Sequence, residues 1–140
     1  SDVCSSDLDC SPSLNLVTIN VLTASDSVII PVEASYLSMT GLQQLLASIG
    51  STKRKLNRKL EVEGIVINKV NTRTNHEKDI IGKLREAYGG QIKIFDVMIP
   101  ESVRAKECTA FGVSIYKYDG KGKVAKSFEE LTREVMEHGC

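Results

Sequence analysis

The 140-residue sequence predicts an α/β protein, a parallel sheet flanked by helices. Three observations predict it. Short apolar runs rich in β-branched residues occur at Ser27–Val32, Gly64–Val70 and Ile92–Ile99, as suits strands buried on both faces. Between them lie longer segments whose apolar residues recur at spacings of three and four, the period of an amphipathic helix. Proline and glycine punctuate the boundaries. Alternation of this kind implies βαβ units with right-handed crossovers.

The elements follow in order. Ser1–Leu8 (SDVCSSDL) is small, polar and partly self-repeating, with neither period, and reads as a non-native scar segment outside the domain. Ser13–Ala24 places Leu14, Val17, Val21 and Leu22 on a helix behind Pro12, a residue suited to a helix start. Ser27–Val32 (SVIIPV) is the first strand, and Pro31 is expected to end its ladder. A second helix spans Ser38–Ile49, with Met39, Leu42, Leu45, Leu46 and Ile49 on one face. The basic stretch Lys53–Lys59 leads to the second strand, Gly64–Val70. The polar loop Asn71–Asn75 precedes a third helix, His76–Tyr88, closed by Gly89 and Gly90. The third strand, Ile92–Ile99, stops at Pro100. The last helix, Val124–Glu137, carries Val124, Phe128, Leu131 and Val135 on one face.

Composition bounds the function. With 41% hydrophobic and 26% charged residues and zero formal net charge, the chain fits one ordinary globular domain. A neutral balance excludes a surface that grips nucleic acid everywhere, while allowing a local basic patch. No apolar run approaches the roughly 20 residues needed to cross a bilayer, and the N-terminus does not read as a signal peptide. Cys4, Cys10, Cys108 and Cys140 form no C-x-x-C pair, and the two histidines are His76 and His138, so a zinc site is not expected. Reduced thiols in a cytosolic protein are the simplest account.

In a parallel sheet the ligand lies beyond the carboxyl ends of the strands. That puts Val32–Ser35, Asn68–Asn75 and Pro100–Lys106 on the functional edge. A nucleotide-binding protein of this class needs a Gly-rich phosphate loop, and the sequence contains no G-x-x-x-x-G-K-[ST]. Gly120-Lys121-Gly122-Lys123 lacks a preceding strand and reads as a turn before the last helix.

The remaining residues nonetheless resemble one family in order and spacing. Asp9-Cys10-Ser11-Pro12-Ser13-Leu14, Thr18-Ile19-Asn20-Val21-Leu22 and Ala24 to Val32 (ASDSVIIPV) resemble the stretch after the Walker B strand of ParA and Soj partition ATPases. Gly41-Leu42, Gly64-Ile65, Arg73-Thr74-Asn75, Ile99-Pro100, Val103-Arg104, Glu107, Gly112, Ser114-Ile115, Tyr118-Asp119 and Gly122-Lys123 fall at further family positions. The resemblance runs from Asp9 to about Val135. It implies a P-loop NTPase-like parallel sheet, incomplete at the N-terminus, with residues 9–140 forming the C-terminal part of a single ATPase domain. An intact relative begins with a strand and a K-G-G-x-G-K-[ST] loop. Loss of that strand and its helix would bare a strand edge and apolar faces, so the chain alone is expected to be marginally stable or aggregation-prone.

The resemblance also implies site residues. Asp9 matches the acid that holds the water shell of Mg²⁺ and influences the attacking water; otherwise it is a capping aspartate. Asn68 stands where related ATPases hold adenine, since an amide both donates and accepts; otherwise it bonds its own loop. Pro100 would form the other side of the adenine pocket. Arg73 and Arg104 match arginines used for sequence-independent DNA contact through phosphates; otherwise they are exposed loop arginines. The cluster Lys53, Arg54, Lys55, Arg58 and Lys59 reads either as a second DNA contact or as a solvated helix end. His76 and His138 read as surface residues at helix ends. Ser11 and Ser13 lack an acid–histidine partner for nucleophilic catalysis.

Three functions follow. The first is a cytoplasmic, nucleoid-associated partition ATPase that dimerises around ATP and Mg²⁺, binds double-stranded DNA without sequence preference and answers to a ParB-type centromere-binding protein. In truncated form it would not hydrolyse ATP alone. The second is a non-catalytic remnant that binds DNA or a partner. The third, suggested by Asn68-Lys69, is a MinD-like cell-division ATPase; the acidic end Glu134–Cys140 disfavours the membrane-seeking helix this needs, and no membrane partner is expected.

Overall fold

The computed structural model describes residues 7–10, 15–71 and 74–138. Within them the chain runs α1 (Leu16–Ala24), β1 (Ser27–Glu33), α2 (Tyr36–Lys55), β2 (Glu61–Val70), α3 (Asn75–Tyr88), β3 (Ile94–Pro100), α4 (Val103–Ala110), α5 (Ile115–Asp119) and α6 (Lys123–His138). The strands form one parallel sheet in the order β1-β2-β3.

Local chemistry sets the boundaries. The Asn15 Oδ1 accepts the Thr18 amide at 3.1 Å, so α1 begins at Leu16. Pro12, the expected helix start, lies outside the described residues. The Ser35 Oγ accepts the Ser38 amide at 3.2 Å and starts α2, which continues past the expected Ile49 to a last turn of Lys53, Arg54 and Lys55. There the cations face the negative end of the helix dipole. One expectation is corrected: β1 does not stop at Pro31, which pairs with Val66 while Val32 and Glu33 continue opposite Ile67 and Asn68. β1 is an outer strand, where a missing donor is tolerated. Two short helices, α4 and α5, escape the sequence pattern because eight and five residues are too few for a period to show.

β2 is central, and its Ile65, Val66 and Ile67 are buried on both faces. Ile65 and Ile67 join Ile30, Val32, Leu22, Leu42, Ile49 and Leu84 in one cluster, which sets α1, α2 and α3 against one face. Val66 joins Phe95, Val97, Ile99 and Val124 in the other, beneath α6. The strands do not pair evenly. Val28 faces Val62 but Ile29 faces Gly64, so Glu63 is an extra residue, and its carboxylate bonds the Ser27 hydroxyl. Gly64 is required there because a Cβ would lie 2.8 Å from Phe95 Cε2 and 3.0 Å from the Lys93 carbonyl oxygen.

The two outer strands differ. Between the pairs Ile65–Ile94 and Ile67–Met98, β3 advances further than β2, which frees backbone groups. Glu134 of α6 takes two of them, its Oε2 accepting the Asp96 amide at 3.1 Å and its Oε1 the Val97 amide at 2.9 Å. The outer side of β1 has no comparable cover among the described residues. Ile29 on its flank is 38% exposed and opens, with Tyr116, Phe128 and Met136, onto an apolar groove of about 490 Å³.

Two outcomes follow from this packing. Gly64→Ala is expected to destabilise the chain by ~1–3 kcal/mol, as overpacking does, read as a lower urea midpoint with an unchanged slope. The bare β1 edge and groove are expected to make the isolated chain self-associate with rising concentration in sedimentation velocity. A monodisperse monomer with a cooperative melt at high temperature would show that expectation wrong.

Candidate functional site

The parallel strands bring their carboxyl ends to one edge, at Glu33, Val70 and Pro100. The register sets Glu33 opposite Asn68 and Val70 opposite Pro100. Asn68 and Pro100 therefore stand near the ends of neighbouring strands, as the sequence led one to expect. Asn68 is half-buried and within β2 rather than in the loop after it. Its Oδ1 accepts the Lys69 amide at 2.9 Å. Lys69 has φ 54°, a left-handed conformation uncommon for a residue with a Cβ. It coincides with a second irregularity: from Ile67–Met98 to Val70–Pro100, β2 spends one more residue than β3.

This turn sends the Lys69 side chain across the strand ends, where its Nζ donates to Glu33 Oε1 at 2.5 Å. Glu101 continues the row, its Oε1 accepting from Lys106 Nζ at 2.9 Å. The edge thus carries alternating charges: Glu33, Lys69, Glu101, Lys106. The hydrogen bond to Glu33, and then its charge, hold the Lys69 ammonium above its ordinary pKa, with Glu101 adding to the effect. The hydrogen bond from Lys106, then its charge, lower that of Glu101.

Beyond Pro100 the chain folds back as α4 and α5. Gly112, at φ 62°, supplies the left-handed turn between them. The Phe111 and Tyr118 rings stack at 5.9 Å and 22°. The Tyr118 hydroxyl donates to Glu107 Oε2 at 3.0 Å, and this bond holds its proton above the ordinary tyrosine value. Arg104 is exposed on α4, with Nη1 3.6 Å from Asp119 Oδ1. Asp9 is exposed ahead of α1. Among the described residues no hydrogen bond or ion pair joins Asp9 to Asn68, Pro100 or Arg104. Arg73 lies outside the described residues, between Asn71, whose amide donates to Glu77 Oε2 at 2.6 Å, and the first turn of α3.

The row of charges at this edge was not legible in the sequence, because it depends on the extra residue in β2. His76 sits exposed in the first turn of α3, as expected of a surface residue, its ring 5.6 Å from that of Tyr36. The Cys10 and Cys108 thiols are free.

Adenine and magnesium fit this edge unequally. Asn68 and Pro100 stand on neighbouring strand ends, with Asn68 Oδ1 already accepting the Lys69 amide. The metal has one candidate carboxylate, Asp9, and no cluster of three ligating side chains occurs among the described residues. The residues present do not by themselves make a magnesium site.

Residues 7–62 match the AAA domain family. The chromosome partitioning protein ParA of Myxococcus xanthus is 40% identical over 129 residues, 92% of this chain and 45% of that protein. The sporulation initiation inhibitor protein Soj of Bacillus subtilis is 37% identical over 132 residues, 94% of this chain and 51% of that protein. The chain therefore spans about half the length of these relatives. Among solved structures, a Mycobacterium smegmatis cobyrinic acid a,c-diamide synthase with bound ADP and magnesium superposes with a TM-score of 0.60 at 30% identity, over 67% of this chain and 38% of that one. A Cyanothece McdA–ATP complex superposes with a TM-score of 0.70 at 22% identity, over 85% of this chain and 46% of that one, a likeness of fold. The class is thus a P-loop NTPase-like α/β protein. Within that class, the chain is of the ParA/Soj type, matched over about half the length of those proteins.

The charge row yields a test. Because the Glu101 pKa is lowered, its ion pair contributes above the ordinary carboxylate range and is lost as pH falls through the lowered value. Lys69 is the opposite case: its contribution is present below the ordinary lysine value and lost as pH rises through the raised one. A carboxyl-carbon NMR titration is expected to place Glu101 below an unpaired glutamate. Lys106→Gln should move it back up, and added salt should narrow the difference.

Proposed function

We propose that the chain is part of a partition ATPase working in the cytoplasm on the nucleoid. The observation that carries this reading is 33–40% identity across 92% or more of the chain to partitioning proteins from several bacteria. In the whole protein, ATP with Mg²⁺ would close a homodimer, with the base between Asn68 and Pro100 and the metal's water shell near Asp9. The dimer would hold double-stranded DNA through Arg73 and Arg104, whose interaction with phosphates carries no sequence information. A ParB-type centromere-binding protein would trigger turnover. Among the described residues, no helix is long and apolar enough to cross a membrane.

The pairing of Arg104 with Asp119 at 3.6 Å bears on this reading. Both side chains lie near the surface, so the pair is weak, and a DNA phosphate could displace the carboxylate at little cost. The charge row at the strand ends is a second constraint, because a nucleotide there meets two carboxylates as well as two lysines.

A second reading takes these residues as a non-catalytic unit. The 140 residues would then bind DNA or a partner without hydrolysing ATP alone. Calorimetric titration of this chain with Mg²⁺–ATP separates the two; tight Mg²⁺-dependent binding would defeat the remnant reading. For the leading reading, the chain is joined to an N-terminal half bearing a K-G-G-x-G-K-[ST] loop, and DNA binding is measured with and without ATP. Binding that requires ATP is expected, with Arg104→Gln weakening it and reducing the salt slope by about 0.9. Arg104-dependent binding that is the same without ATP, or no binding at any salt, would overturn it.

A further inference from the structure

We infer that the amino edge of the sheet, opposite the strand ends described above, carries a second surface for double-stranded nucleic acid, formed by Lys53, Arg54, Lys55, Arg58 and Lys59. This goes beyond the proposed function, which puts DNA at Arg73 and Arg104.

The first argument is charge segregation. Five of the chain's 18 cationic side chains fall in these seven residues, with no acid among them. The rest of the chain therefore carries 13 cations against 18 acids, and the five form a local positive patch beside Asp26, Glu61 and Glu63 at the strand starts. All five side chains are exposed. The ion pairs among the described residues engage Lys69, Lys83, Arg85, Arg104 and Lys106, and none of these five.

The second argument is rigidity. Lys53, Arg54 and Lys55 stand on the last turn of α2, and Arg58 and Lys59 on the tied loop that follows it. Thr52 and Leu60 are buried on either side of this stretch. The Asn57 Nδ2 donates to the Leu22 and Ser25 carbonyls at 3.1 and 2.7 Å, tying the loop to the end of α1. The Asn57 amide donates to the Thr52 carbonyl at 3.0 Å, and the Leu60 amide to the Asn57 carbonyl at 3.2 Å. The backbone that carries the charges is already ordered, so only side-chain freedom is lost when phosphates arrive.

The chemistry selects the partner. No aromatic residue lies in the stretch, so stacking on single-stranded bases is not provided. α2 turns Leu42 and Ile49 inward, and Leu56 is the single exposed apolar side chain among the five cations, too little for the apolar face a membrane interface needs. Exposed cations with no aromatic residue and one exposed apolar side chain, Leu56, among them fit a duplex backbone read by charge. The ten residues of β2 separate the two edges by roughly 30 Å at ~3.3 Å per residue. One molecule can thus present cations to two duplexes at once.

The test measures anisotropy of a fluorescein-labelled random-sequence 30-base-pair duplex across a salt series, using the 140-residue chain. K53Q/R54Q/K55Q/R58Q/K59Q is expected to bind roughly tenfold more weakly or worse at low salt, with the salt slope shallower by about 0.9 for each lost phosphate contact. Should that variant fail to keep its circular dichroism and melt, R58Q/K59Q is read instead, with a slope shallower by about 1.8. Unchanged affinity and slope would overturn the proposal, as would binding to phosphatidylglycerol vesicles in place of the duplex. R104Q separates this inference from the proposed function. Loss in the amino-edge variant with no change in R104Q upholds the second surface without bearing on the ATP-dependent site, which is read in the joined protein; loss in R104Q alone overturns the second surface.

Discussion

β2 has to satisfy demands from four directions. It pairs with a strand on each side, and Ile65, Val66 and Ile67 fill the cores above and below. A strand so placed has no solvent-facing side on which to discard a misfit. The misfits appear instead as extra residues at its two ends, at Glu63 and at Lys69. At the first, Gly64 lets the Phe95 ring press against the backbone. At the second, the left-handed Lys69 redirects a side chain across the strand ends. The core and the candidate site are therefore two results of one constraint, the fitting of β2 between unequal neighbours.

Much of the fold was legible because it rests on periods. The continuous apolar runs gave all three strands, and the three- and four-residue spacings gave α1, α2, α3 and α6. What escaped depends on contacts between segments distant in sequence. Pro31 looked like a strand end because a local rule cannot know that β1 lies outermost. The Glu134 carboxylate looked like one more acid on a solvated helix, and its role on the β3 amides exists only once α6 lies beside that strand.

The candidate site was legible in part. The placement of Asn68 and Pro100 at adjoining strand ends follows from parallel pairing, which the alternation of elements already implied. The row of Glu33, Lys69, Glu101 and Lys106 does not, since it needs the extra residue in β2 and the turn into α4. Arg104 looked like a free loop arginine, yet it lies on a helix with a carboxylate beside it. Asn68 accepts a hydrogen bond from its own chain, the bland reading of that residue, and this does not conflict with a nucleoside contact because an amide oxygen has a second lone pair.

The inequality of the outer strands has a consequence for how such chains meet one another. An object with two adhesive sides propagates without limit, and a sheet open at both edges grows into fibres. Among the described residues Glu134 occupies two backbone amides of β3, and the outer side of β1 has no such cover. Two copies that meet through that flank cover each other and leave nothing for a third.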